Sequence, residues 1–87
     1  MKRVIFEYKN KNKSIIFFDD NSFMTVVDSF IKENGKYTFL ENNDEYKTFL
    51  LKGDDSQVSV LMFDYKTQIV FYTYKRGKLS RSRVKML

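Results

Sequence analysis

The chain has 87 residues, 43% of them apolar and 17% aromatic, a net charge of +5, and no cysteine, histidine, alanine, proline or tryptophan. That length makes one small domain, residues 1–87, able to bury roughly 60–65% of its unfolded surface. The aromatic content excludes a disordered chain, the missing cysteine excludes disulfides and thiolate metal sites, and the missing histidine removes the usual general base near neutral pH.

No secretory pattern follows Met1-Lys2-Arg3, and the longest apolar run, residues 15–18, is far short of the ~20 residues that span a bilayer. A soluble, cytoplasmic protein is expected. Abundant Lys, Asn, Phe and Tyr point to an AT-rich gene, so part of the positive charge is mutational. Its distribution says more. Residues 1–13 sum to +4 and residues 65–87 to +7, the latter without a single acid, while residues 14–35 and 36–64 sum to −3 each. Asymmetry of this kind points to an anionic partner.

In chain order, residues 2–8 read as a strand, residues 9–13 as a polar turn and residues 14–19 as the returning strand. Asp19-Asp20-Asn21-Ser22 then offers helix caps. Phe23, Val26, Val27, Phe30 and Ile31 follow at the spacing of a helical stripe, and Asn34-Gly35 reads as its stop. An amphipathic helix with Phe30 and Ile31 buried is predicted. Residues 36–40, 46–51, 57–64, 68–75 and 79–85 read as strands. The expected fold is α+β: an antiparallel sheet of six or seven strands, order ββαβββββ, with one helix packed on one face.

The last two strands carry the clearest chemistry. If Arg76 and Gly77 form the turn, Tyr74 faces Leu79, Tyr72 faces Arg81 and Val70 faces Arg83. One face is then tyrosine and arginine, shared with Leu61 and Phe63. The other carries Ile69, Phe71 and Thr73 and is expected to lie under the helix. Rings on a sheet stack unpaired bases, and flanking cations neutralise phosphate. Tyr72, Tyr74, Arg76, Lys78, Arg81, Arg83 and Lys85 are therefore the candidate site, for RNA or a ribonucleoprotein complex. The competing reading is a half-exposed strand face with edge charges that prevent aggregation. A second basic group, Lys2, Arg3, Lys9, Lys11 and Lys13, would extend the same field if the first hairpin lies beside the last.

The acids Asp19-Asp20, Asp44-Glu45, Asp54-Asp55 and Asp64 sit at predicted turns or a cap, where short carboxylates bond the local backbone, and none has calcium-loop spacing. No nucleophile with its base, and no phosphate-cradling glycine loop, is recognisable. No enzyme, cofactor or metal is expected. The alternatives are a protein-directed inhibitor whose acidic middle imitates nucleic-acid phosphates, and a module that buries its tyrosine face against a second copy.

In size, in the lack of catalytic residues and in its compact α+β pattern, the chain resembles the accessory proteins of AT-rich phages of Gram-positive bacteria, among them the anti-CRISPR proteins. The resemblance is one of kind and carries over no functional residue. It implies an inhibitor acting in a bacterial host cell. The basic and aromatic hairpin suits one that engages an RNA-guided effector of the type III class.

Overall fold

The computed structural model describes residues 2–73 and 77–87. Period-two alternation runs through almost all of it. The strands are β1 (Arg3–Tyr8), β2 (Lys13–Phe18), β3 (Ser22–Val27), β4 (Phe30–Asn42), β5 (Tyr46–Gly53), β6 (Val58–Asp64), β7 (Ile69–Thr73) and β8 (Leu79–Met86). Each pairs antiparallel with the next, and β1 pairs with β8, so the sheet closes into a barrel. Closure leaves no sheet edge along most of its circumference.

The α+β expectation is thus overturned. Among the described residues there is no helix, and none long and apolar enough to cross a membrane. Where the helix was predicted, β3 and β4 form a hairpin. Its turn is Asp28-Ser29, both at positive φ (51° and 71°), which matches the right-handed twist of the flanking strands. The register pairs Val27 with Phe30 and Val26 with Ile31. The spacing of three that looked like one helical turn is the closing pair of a two-residue hairpin. Thr25, Val26 and Val27 are branched at Cβ and favour the pleated conformation. Phe23 is buried as expected, whereas Phe30 and Ile31 are 77% and 60% exposed. Gly35, read as a helix stop, lies within β4 opposite Gly53. A Cβ there would stand 2.8 Å from the Gly53 Cα and overlap the Lys52 carbonyl oxygen, so the close approach of β4 and β5 requires glycine.

The barrel interior is filled with side chains, for which eight strands leave just enough width. Phe17 and Phe49 stack with centroids 3.8 Å apart and planes 9° from parallel. Phe6 meets both edge-on and lies 4.8 Å from Phe63. Ile15, Leu51, Leu61, Val70 and Val84 complete the buried core. Tyr37 closes one side of it: its hydroxyl donates to the Phe18 carbonyl oxygen at 2.7 Å. Burial, and then the carboxylates of Asp19 and Asp20, raise its phenol above the ordinary value of 10.0.

Three of the acids bond the local backbone as their turn positions predicted, Asp20 at a turn between strands rather than at a helix cap. Asp20 accepts from the Ser22 amide and hydroxyl, Asp55 from the Gln57 amide and Asp64 from the Lys66 amide. The bonds to Ser22 hold the Asp20 carboxyl below its usual range. Among the described residues no group of three or more acids could hold a metal ion.

Candidate functional site

The β7–β8 register decides what the C-terminal hairpin can present. Tyr72 is opposite Ser80, Phe71 opposite Arg81, and Ile69 opposite Arg83. Leu79 pairs with Thr73 rather than with the residue after it, one residue off the predicted pairing, and such a slip exchanges faces. Tyr72 therefore does not share a face with Arg81 and Arg83. Tyr72 points into the barrel and is 9% exposed. Its hydroxyl lies 3.0 Å from Ser59 Oγ, and the Lys13 ammonium is 5.9 Å from its ring centroid. The small side chains of Ser80 and Ser82 alternate with Arg81 and Arg83, leaving room on the inner face for that ring. Arg81 and Arg83 project outward instead, beside Phe71 and Ile69.

The other candidates divide. Lys78 is exposed and follows Gly77, whose φ of 72° suits glycine. Lys85 is exposed but stands in register with Glu7 on β1, a carboxylate that offsets it. Tyr74 and Arg76 lie outside the described residues.

Barrel closure brings in residues the hairpin reading left out. β1 meets β8 at Tyr8↔Val84 and Phe6↔Met86, and beyond the ladder the Lys9 amide donates to the Arg83 carbonyl oxygen at 3.1 Å. The first hairpin therefore does lie beside the last. A cleft of about 450 Å³ opens between β8 and the β1–β2 turn, lined by Tyr8, Asn10, Lys11, Ile69, Arg81, Ser82 and Arg83. A second cleft, also about 450 Å³, is lined by Lys9, Lys66, Thr67, Gln68, Ile69 and Arg83. They adjoin at Ile69 and Arg83. Five cations line the pair, and no carboxylate does. Glu7 is the nearest acid by register, diagonal to Arg83 on the adjacent β1 and opposite Lys85. Asp64 lies farther off, across Ile69 from Arg83, and its Oδ1 accepts from the Lys66 amide.

Lys66 was not singled out from the sequence, and Ile69 was expected to lie under the helix rather than at a surface cleft. The acid-free composition of residues 65–87 covers Lys66. Nothing local marks Ile69, because its place beside Arg83 depends on register. Of the second basic group, Lys9 and Lys11 join the site. Lys13 sits with its ammonium 4.7 Å from the Tyr8 ring centroid, at the barrel mouth, and Lys2 and Arg3 line a separate apolar pocket with Phe17 and Phe39.

Fold and site together define an eight-stranded antiparallel meander barrel with a cationic seam. No known protein family, curated protein or solved structure matches the chain.

Proposed function

We propose that the protein is a non-catalytic binding protein for RNA or an RNA–protein complex, holding phosphates on Lys9, Lys11, Lys66, Arg81 and Arg83. One observation carries this reading: closure puts the two basic ends of the chain on neighbouring strands, around two clefts whose lining has no acid. The described parts of the stretches that sum to +4 and +7 form one continuous sector, and residues 14–64, negative in sum, form the other. A field of one sign over a concave surface concentrates and steers a polyanion. An inhibitor of an RNA-guided host effector is one protein of this type, and the seam would meet the effector's RNA.

The test is the salt dependence of binding to a short RNA. Five phosphate contacts on a single strand give a log–log slope of roughly −3.5. Replacing both Arg81 and Arg83 with Ala should flatten it by about 1.4. The control is Lys36→Ala plus Lys52→Ala, an equal loss of charge from a facing pair on β4 and β5, diametrically across the barrel from the seam. That variant should keep the parent slope. If the two double variants match in affinity and slope, the seam is not the site.

A further inference from the structure

The two basic clefts are not lined by cations alone. Ile69 contributes an aliphatic side chain to both. Asn10 brings an amide to the first, and Thr67 and Gln68 bring a hydroxyl and an amide to the second. A surface that only neutralises phosphate needs none of these. Amides and hydroxyls supply the neutral donors and acceptors that match the edges of a nucleobase, and an aliphatic side chain accepts the flat face of a ring. Each cleft lies within the size range of small-ligand pockets.

Concavity narrows the ligand further. In an RNA duplex the bases are paired and stacked inside, and the outer surface is sugar and phosphate. Only an unpaired nucleotide can turn its base into a cleft. Arg83 stands where the two clefts meet, and a guanidinium binds phosphate in bidentate fashion.

We propose that the seam recognises single-stranded RNA. The two clefts take the bases of two successive unpaired nucleotides, and Arg83 holds the phosphate that joins them. This rests on the RNA-binding reading above and adds to it a strand state and a base-recognising role for uncharged residues.

The experiment compares three fluorescent probes of equal phosphate number at one salt concentration: a single-stranded oligoribonucleotide, a duplex of two complementary strands each half that length, and an abasic ribose–phosphate strand. The single strand should bind about tenfold more tightly than either of the others. The variant Asn10→Ala plus Thr67→Val changes no charge, and both positions are exposed turn residues. It should weaken the single strand about tenfold, leave the abasic strand unaffected and keep the salt slope. Equal binding of all three probes would overturn the nucleotide clefts and leave the cationic seam standing. A double variant that weakens the abasic strand as much as the natural one would do the same. If no probe binds, both proposals fall.

Discussion

Phe71 and Tyr72 are neighbours in the chain with opposite surroundings. Tyr72 shares the inner face with Leu61, and Phe71 shares the outer face with Met62 and Arg81. The grouping of Tyr72 with Leu61 and Phe63 is legible in the alternation of β6 and β7. Which group is the core is not, because that depends on what covers each face, and the expected helix would have covered the wrong one. Tyr72→Ala should therefore act on stability, with a loss of about 3–4 kcal/mol in a denaturant melt, while the folded fraction keeps the parent RNA salt slope. A folded variant with normal stability and lost binding would return Tyr72 to the surface. At the centre, Phe49→Ala removes a ring stacked on Phe17 and touching Phe6, Tyr37 and Phe39. A loss of about 3–5 kcal/mol is expected, a large share of the stability of a domain this small. Tyr37 adds a pH dependence. Its phenol is raised in the fold, so the neutral form is favoured there. Its contribution is complete below the unfolded value and is lost as the pH rises through the folded one. Tyr37→Phe should cost about 1 kcal/mol at neutral pH by removing the bond to Phe18, and its stability should fall less steeply than the parent's as the pH climbs past 10.

Elements were legible wherever one period dominated. The strands read at 2–8, 14–19, 46–51 and 57–64 recur as β1, β2, β5 and β6 with small changes at their ends. The strand read at 36–40 recurs inside β4, and the reading failed at β3 and the first part of β4, where a hairpin with a two-residue turn places apolar residues three apart. The Asp28-Ser29 turn lacks the glycine that usually announces such a turn, and the capping residues before Phe23 suited a helix equally well. The correction reverses an energetic expectation. A buried helical Phe30 would cost several kcal/mol to truncate, but at a hairpin tip Phe30→Ala should change stability by no more than about 0.5 kcal/mol. A large loss in a thermal melt would restore a buried Phe30. Gly35 moves the other way. As a helix stop it would tolerate alanine with modest strain, but within β4 the added methyl meets the backbone of Lys52 and Gly53. Gly35→Ala should destabilise by about 1–3 kcal/mol, and a neutral result would mean that β4 and β5 separate more easily than their register implies.

For the whole molecule, the uneven charge was visible in the sequence, but the seam was not. Local patterns specify strands and tight turns, whereas the partner of β1 is the most distant strand in the chain. Two basic segments separated by more than fifty residues become one surface only when the barrel closes. The joint that does this is also the shortest ladder in the barrel. β1 and β8 stay in register only from Phe6 to Tyr8, with Ile5 and Leu87 exchanging backbone bonds at one end and Lys9 reaching Arg83 at the other. Every other pairing is a hairpin that can re-form locally after it opens, while the seam must re-find a strand at the far end of the chain. The barrel should consequently breathe there first. Protons on the Lys9 and Leu87 amides should exchange with solvent sooner than those in the middle of β4 and β5. A strand of RNA lying across Lys9 and Lys11 on one lip and Arg81 and Arg83 on the other would act as a clasp, slowing exchange at the seam and leaving the far wall almost unchanged. Protection that rises evenly around the barrel, or not at all, would show that the ligand fastens nothing.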